Sequence, residues 1–321
     1  MHENNQFPLL TYSGTGKTYA SAFAMRELGF KRVLFLVHRV TLAKQAKKSF
    51  EKVFDKKVTM GLVGAGFYEY EKDYVFATVE TLNRDTHLFQ YQPNAFDCII
   101  LDEAHHSSNN IYTKVIKYFN PKLFLGMTAT PDKRDDNQEG KNIYEIFHYQ
   151  IAHEIRLQQA MEDNLLCPFH YFGISEVISL DDKTLQAAKL TDEEFNQLTS
   201  DERVRHVIEQ SEYYGYSGDR VRGLIFCSRV KECEELSRKF NALGYRTIAL
   251  SGADNEEKRQ EAFERLAMDE ADATEEMQPL DYIFSRDILN EGVDIVEVNQ
   301  VIMLRPTQSP IVFIQQLGRG L

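Results

Sequence analysis

Short apolar runs alternate with helix-compatible stretches along this chain, and that alternation constrains the fold more than any other feature. In the first half the runs cover residues 32–38, 74–78, 96–102 and 122–128. In the second half they cover residues 223–227, 246–250, 281–285 and 298–304. Continuous apolar runs of this length are typical of parallel strands buried on both faces and connected by helices. We therefore predict an α/β protein with two mostly parallel sheets.

The strand and helix pattern is interrupted in the middle of the chain, which suggests a boundary between two domains. A length of 321 residues also exceeds what one hydrophobic core usually serves. Within the interruption, Thr191 and Glu194 have the spacing of a capping box at a helix start. We predict three segments, which are an N-terminal lobe over 1–150, a connector with helical segments over 151–219 and a C-terminal lobe over 220–321.

Composition excludes several classes of protein. No apolar run approaches the roughly 20 residues that a membrane span needs, and the N-terminus does not read as a secretion signal. The four cysteines lack the paired short spacing of zinc or redox motifs, so reduced thiols are expected. These features predict a cytoplasmic protein with no membrane partner.

The net charge of -12 argues against nonspecific affinity for nucleic acid, but one segment has the opposite sign. Residues 31–57 hold nine Lys or Arg against only Glu51 and Asp55. A predicted helix over 41–54 carries much of this charge on its polar face. Two interpretations stay open, namely the edge of a track for nucleic acid and an ordinary solvated face.

A glycine-rich segment before a helix-compatible stretch has the composition of a phosphate-binding loop. Backbone amides at glycines can converge on phosphate oxygens, a lysine can reach the outer phosphates and a hydroxyl can bind magnesium. The alternative is a plain glycine-rich turn, since Thr11 stands where the full pattern has glycine. The residues of this segment are Ser13, Gly14, Thr15, Gly16, Lys17 and Thr18.

Two adjacent acidic residues follow the apolar run that ends at residue 101. Asp102 can hold magnesium through water, while Glu103 can orient and deprotonate a water that attacks a phosphate. An isolated pair of this kind would more simply cap a helix, but a phosphate loop on a preceding strand favours the catalytic interpretation. A zinc site at His105 and His106 is not favoured, because no further ligand has suitable spacing.

These segments resemble, in order, the motifs of the DEAD/DEAH-box ATP-dependent helicases of superfamily 2. Residues 13–18 resemble motif I, and residues 102–105 resemble motif II. The other similar segments are 36–45 (motif Ia), 78–82 (Ib), 128–130 (III), 225–229 (IV), 290–294 (V) and 315–319 (VI). The resemblance implies a P-loop NTPase with two tandem RecA-like lobes, each a mostly parallel sheet flanked by helices. It places ATP and Mg²⁺ between the lobes.

The resemblance also implies roles for residues of both lobes. It assigns catalysis to Lys17, Asp102, Glu103, Gln315 and Arg319. It adds Gly292 and Asp294 to the ATP site, and Thr18 and Asp102 to the magnesium site. The implied coupling residues are His105, Thr128 and Thr130, and the implied nucleic-acid contacts are Arg39, Thr78, Arg229 and Ser251.

The amino-acid sequences of several segments are most similar to those of bacterial DEAH-type helicases related to restriction-system motor subunits. We therefore expect a nucleic-acid-stimulated ATPase that translocates or unwinds, with DNA favoured over RNA. Such proteins often carry a nuclease-like domain, so a nuclease domain or subunit is a possible partner.

The chain departs from the family pattern at both ends. The adenine-recognising glutamine segment is missing, the strand before the phosphate loop is nearly absent, and the second arginine of motif VI is missing. These departures leave a second hypothesis, a fragment or degenerate module that binds ATP or nucleic acid but hydrolyses little. A metabolic P-loop kinase is the third, and it would not need the second lobe.

Overall fold

The computed structural model divides the chain into two compact units, Met1–Cys167 and Pro168–Leu321. It describes residues 16–55, 57–104, 110–128, 147, 150–155, 157–175, 177, 190–286 and 298–305, together with the backbone of residues 5–11. Each unit has its own parallel sheet. The limits of the predicted lobes and connector stay a prediction.

The first unit alternates strands and helices from its beginning. Its strands are β1 (Asn5–Thr11), β2 (Val33–Val37), β3 (Met60–Gly64), β4 (Phe67–Tyr68), β5 (Tyr74–Thr78), β6 (Cys98–Leu101), β7 (Leu123–Thr128) and β8 (His153–Ile155). Its helices are α1 (Lys17–Leu28), α2 (Val40–Val53), α3 (Val79–Leu82), α4 (Asp85–Leu88), α5 (Asn110–Tyr118) and α6 (Leu157–Glu162).

The eight strands of the first unit form one sheet in the order β4-β3-β5-β2-β6-β7-β1-β8. Every neighbouring pair is parallel except the β3–β4 pair, which is a tight hairpin. Parallel strands all end at the same edge of a sheet, so the residues that follow them lie along one carboxyl edge. This edge is where the predicted catalytic residues of the first lobe fall.

The prediction that the strand before the phosphate loop is nearly absent is wrong. β1 runs for seven residues and pairs with β7 from Asn5 to Leu10, and with β8 from Leu9 to Thr11. The apolar part of this segment is short and contains Pro8, so it gives a weak strand signal in the sequence. Backbone hydrogen bonds from two neighbouring strands stabilise it instead.

Two hydrophobic layers cover the faces of the first sheet, because successive side chains of a strand point to opposite faces. In β2, Leu34 and Leu36 pack into one layer, while Val33, Phe35 and Val37 pack into the other. All five are at most 1% exposed. The fully buried strands explain why the sequence shows continuous apolar runs rather than alternation.

The second unit contains a four-stranded parallel sheet in the order β10-β11-β9-β12. Its strands are β9 (Gly223–Phe226), β10 (Thr247–Leu250), β11 (Tyr282–Ser285) and β12 (Gln300–Met303). Its helices are α7 (Asp192–Leu198), α8 (Asp201–Tyr214), α9 (Val230–Ala242) and α10 (Glu256–Ala267). The predicted α/β class with two mostly parallel sheets is confirmed.

A buried ion pair joins α8 to α9 in the second unit. Arg203 and Glu232 are at most 1% exposed, and Arg203 Nη1 donates to Glu232 Oε1 at 2.8 Å. Arg203 also donates to the carbonyls of Leu198 and Leu304. The other carboxylate oxygen of Glu232 accepts from the backbone N–H of Ser228 at 2.8 Å. The pair therefore fixes the loop that precedes α9.

Two further sequence predictions concern local structure. Thr191 and Glu194 form the predicted capping box at the start of α7, with both reciprocal hydrogen bonds present. Among the helices that the structure describes, none is both long and apolar enough to cross a membrane.

Candidate functional site

The first catalytic candidates lie at the start of α1, on the carboxyl edge of the first sheet. Gly16 precedes the helix with φ 77° and ψ 25°, a left-handed conformation that glycine adopts without strain. Lys17 and Thr18 are the first two helical residues. No side chain of the described residues caps this end, so the first backbone N–H groups and the positive end of the helix are suited to an anion.

Asp102 and Glu103 follow β6 on the same edge. The backbone N–H of Asp102 donates to the Leu36 carbonyl at 2.9 Å, which extends the pairing with β2 by one residue. Glu103 then turns away with φ 49°, and its N–H donates to Asp102 Oδ1 at 3.0 Å. A left-handed conformation costs a residue other than glycine roughly 1–3 kcal/mol, and such strain is concentrated at functional sites.

Lys17 and Glu103 face each other across the edge. Lys17 Nζ lies 3.9 Å from Glu103 Oε1, and the two side chains are only 10% and 16% exposed. The two residues are 86 positions apart in the chain, so the contact depends on the strand order. The fold thus brings together a cation of the first turn of α1 and an anion after β6.

The electrostatic environment acts strongly on Asp102. Burial and, to a smaller extent, the neighbouring Glu103 carboxylate raise the pKa of its carboxyl to about 6. Lys17, the Glu103 N–H and His38 oppose this rise, because each favours the charged carboxylate. A carboxyl group whose pKa is raised by burial and by a second carboxylate is typical of a functional site, and a bound cation would lower that pKa.

The structure brings some of the predicted site residues together. Gly16, Lys17, Thr18, Asp102 and Glu103 all lie along the carboxyl edge of the first sheet. Thr128 ends β7, the strand beside β6, and is fully buried. The remaining candidates for ATP binding, catalysis and coupling lie outside the described residues, namely Ser13, Gly14, Thr15, His105, Thr130, Gly292, Asp294, Gln315 and Arg319.

The four predicted nucleic-acid contacts each follow or end a parallel strand. In the first unit, Arg39 directly precedes α2 and is exposed, while Thr78 ends β5 and is 7% exposed. In the second unit, Arg229 directly precedes α9, and Ser251 follows β10. Each pair lies on the carboxyl edge of its own sheet. Their contact with nucleic acid stays a prediction.

Sequence reasoning did not single out two features of this edge. His38 follows β2 and acts electrostatically on Asp102, although the two are 64 residues apart in the chain. The β3–β4 hairpin carries two exposed aromatic residues, Phe67 and Tyr68. A signal for the hairpin existed, since the residues 64–66 are Gly-Ala-Gly, which is typical of a tight turn.

The two units match two different family profiles. Residues 2–133 match the profile described as the type III restriction enzyme, res subunit. Residues 203–321 match the helicase conserved C-terminal domain. Together the two matches span most of the chain.

Relatives and solved structures agree with these matches. The chain is 25% identical over 310 residues to IRC3 of Saccharomyces cerevisiae, an inferred ATP-dependent helicase. It is 23% identical over 353 aligned positions to the type I restriction enzyme EcoAI endonuclease subunit of Escherichia coli. The alignments cover 93% and 98% of this chain, but only 42% and 41% of those proteins. The chain thus spans about two fifths of their length.

Two solved structures share the fold over almost the whole chain. The type ISP restriction-modification enzyme LlaBIII bound to DNA matches with a TM-score of 0.66 at 20% identity, covering 99% of this chain and 25% of that enzyme. Dbp5 of S. cerevisiae bound to RNA and ADP BeF3 matches with a TM-score of 0.61 at 16% identity, covering 98% of this chain and 75% of Dbp5.

The fold and the edge with Lys17, Asp102 and Glu103 define a P-loop NTPase with two tandem RecA-like lobes. With the two profile matches, this chain carries the domains of an ATP-dependent helicase-type core, and its relatives include subunits of restriction systems. The resemblance read from the sequence motifs is confirmed.

Proposed function

We propose that this chain is a motor core that hydrolyses ATP when it is bound to nucleic acid and uses the energy to translocate or unwind. The observation that carries the proposal is the approach of Lys17 to Glu103 beside Asp102 on one sheet edge. A lysine that can bind phosphate and a carboxylate that can act on water, together on a partly buried edge beside a carboxyl of raised pKa, are the groups that nucleotide hydrolysis needs.

The residues of this edge fit a magnesium nucleotide. Lys17 supplies a positive charge for phosphate oxygens, and the Thr18 hydroxyl and Asp102 carboxylate are oxygen ligands of the kind that Mg²⁺ prefers. The raised pKa of Asp102 supports this fit, because the positive charge of the described residues around it does not offset the effect of burial on the carboxylate. When bound, Mg²⁺ would neutralise charge on the phosphates.

The chain's own residues would perform the remaining steps. Lys17 would hold the outer phosphates, and Glu103 would orient the attacking water and accept its proton. The Glu103 carboxylate lies 3.9 Å from the Lys17 ammonium, so it is placed beside the position at which the outer phosphates would be held. Glu103 has a left-handed backbone with φ 49°, and its side chain approaches Lys17.

Further residues of both units would complete the machinery. By family resemblance we propose Gly292, Asp294, Gln315 and Arg319 for ATP binding and hydrolysis. His105, Thr128 and Thr130 would couple hydrolysis to movement of the lobes. Arg39, Thr78, Arg229 and Ser251 would contact the sugar-phosphate backbone, which needs no reading of base sequence.

The nature of the partners is also a proposal. DNA is favoured over RNA because the relatives include restriction enzyme subunits and the LlaBIII structure contains DNA. The same relatives support a nuclease domain or subunit as a partner of this motor. A cytoplasmic location stays a prediction from the sequence.

Substitution of Glu103 by Gln tests the proposed hydrolysis step. We expect ATP binding to change by no more than a few-fold, while hydrolysis in the presence of single-stranded DNA falls by roughly 100-fold or more. Binding is measured with a fluorescent ATP analogue, and hydrolysis by phosphate release. Glu27→Gln is the control, because Glu27 is 74% exposed near the far end of α1. Unchanged hydrolysis in Glu103→Gln would refute the proposal.

A further inference from the structure

The outer face of α2 carries three exposed lysines in a row. Lys44, Lys48 and Lys52 follow each other at intervals of four residues. Four residues of an α-helix advance by about 6 Å and turn by about 40° beyond one full turn. The row is therefore roughly 12 Å long and runs obliquely across the exposed face of the helix. We call these three residues the lysine row.

An aromatic ring holds the lysine at each end of the lysine row. Lys44 Nζ lies 5.2 Å from the ring centroid of Phe67 in β4. Lys52 Nζ lies 5.9 Å from the ring centroid of Tyr19 in α1. The two rings belong to different neighbours of α2, in agreement with the oblique course of the row. A contact of this kind restricts the side chain without neutralising its charge.

The lysine row keeps its positive charge, unlike the lysine beside it. Lys47 lies in the same helix, and its Nζ is 2.6 Å from Glu51 Oε1. Over the part of the chain that the structure describes, no carboxylate oxygen lies within 4.0 Å of the amino groups of Lys44, Lys48 and Lys52. Three uncompensated charges thus stand together in a chain of net charge -12.

The lysine row leads away from the carboxyl edge of the first sheet. α2 begins directly after Arg39, a proposed nucleic-acid contact on that edge. Lys44 lies in the second turn of the helix and Lys52 in its last turn. A nucleic acid that is bound at Arg39 and continues outwards along α2 would therefore meet the lysine row.

The chemistry of the lysine row fits phosphates rather than bases. Sites for single strands combine positive charge with aromatic faces on which bases stack. Here the faces of Phe67 and Tyr19 hold lysines instead. A duplex keeps its base faces inside the stack and carries about one negative charge per 1.7 Å of its axis. A row of cations is therefore better suited to duplex than to single-stranded DNA.

We propose that Lys44, Lys48 and Lys52 bind the phosphate backbone of duplex DNA adjoining the strand on which the motor acts. This inference rests on the proposed nucleic-acid-dependent function and adds a surface for the duplex, outside the proposed contacts with the strand. Binding through phosphates depends on salt but not on base sequence.

The salt dependence of duplex binding tests the lysine row. The full chain is titrated, by fluorescence anisotropy, with a labelled blunt-ended DNA duplex and with labelled oligo(dT) at several salt concentrations. In the variant with all three lysines changed to Gln, we expect roughly tenfold weaker duplex binding. The slope of the logarithm of the binding constant against that of the salt concentration should become smaller by about 3. Binding of oligo(dT) should change little.

Two further variants serve as controls. The variant with the same three lysines changed to Arg should keep both the duplex affinity and the salt slope, because the positive charges remain. Lys117→Gln removes an exposed charge from α5, which packs through Tyr112 and Val115 on the opposite face of the sheet from α2. It should bind the duplex as the wild type does.

Three results would overturn the inference. The first is a triple Gln variant that keeps the duplex affinity and slope, and the second is one that loses duplex and oligo(dT) binding by the same factor. The third is a wild-type chain that does not bind the duplex. In each case the proposed function survives if single-stranded DNA still stimulates ATP hydrolysis by the wild-type chain, and it fails as well if that stimulation is absent.

Discussion

Asp102 is a predicted site residue whose pKa is raised by its surroundings in the folded chain. Its carboxyl is buried beside a second carboxylate, and its pKa rises to about 6 from the usual 3.8. The folded state therefore binds the Asp102 proton more tightly than the unfolded state does. The contribution of Asp102 to stability is most favourable below about pH 4 and is lost as the pH rises through 6.

Replacement of Asp102 by Asn should therefore stabilise the protein, and the gain should depend on pH. At pH 8 the variant avoids the cost of a buried charge, and we expect its free energy of unfolding to rise by about 2 kcal/mol. At pH 4 the gain should largely disappear. Thermal melts at the two pH values measure this, with Asp55→Asn as an exposed control. A gain that is equal at both pH values would contradict the assigned cause.

The sequence predicted the identity of these residues but not their environment. Asp102 and Glu103 could be recognised because they stand directly after an apolar run and follow a glycine-rich segment. The influence of His38 on Asp102 could not be predicted, because it depends on β2 and β6 being neighbours in the sheet. The left-handed backbone of Glu103 is likewise set by packing and not by local propensity.

A buried ion pair holds helices α8 and α9 together and also positions the loop before α9. Arg203 and Glu232 are buried together, and Glu232 also holds the backbone of Ser228, next to Arg229. A buried pair of this kind adds little net stability, but removal of one partner leaves an unpaired charge. The pair thus orders the loop that carries a proposed nucleic-acid contact.

Arg203→Met should destabilise the second unit by about 3 kcal/mol, because the Glu232 carboxylate then stays buried without its partner. The double variant Arg203→Met, Glu232→Met should recover part of this loss. Chemical denaturation followed by circular dichroism measures both. Lys239→Ala is the control, since it removes the exposed ion pair between Lys239 and Asp201 on the same two helices. A double variant less stable than the single one would contradict this explanation.

Elements were predicted with uneven success, and the reasons are physical. Buried parallel strands such as β2 and β6 give continuous apolar runs, so they could be recognised. β1 was missed, because its short segment contains a proline and is stabilised by two neighbouring strands. β4 was missed because both of its residues, Phe67 and Tyr68, are exposed. They therefore do not take part in a periodic pattern of buried residues.

At the scale of the whole molecule, two units with similar parallel sheets follow each other in one chain. The resemblance of the motifs, the two profile matches and the shared fold with LlaBIII and Dbp5 agree on a helicase-type motor. The order of the motifs along both units could be recognised from the sequence. What the sequence could not supply is the proximity of Lys17 to Glu103, which requires the strand order of the folded sheet.

Phosphate release with and without single-stranded DNA tests the central claim most directly. We expect the wild-type chain to hydrolyse ATP faster when DNA is present. Lys17→Ala in the first unit and Arg319→Ala in the second should each abolish this stimulated rate, because the proposed hydrolysis needs both lobes. Lys122→Ala, at an exposed position before β7, should behave as the wild type. Stimulated hydrolysis that persists in Lys17→Ala would contradict the account.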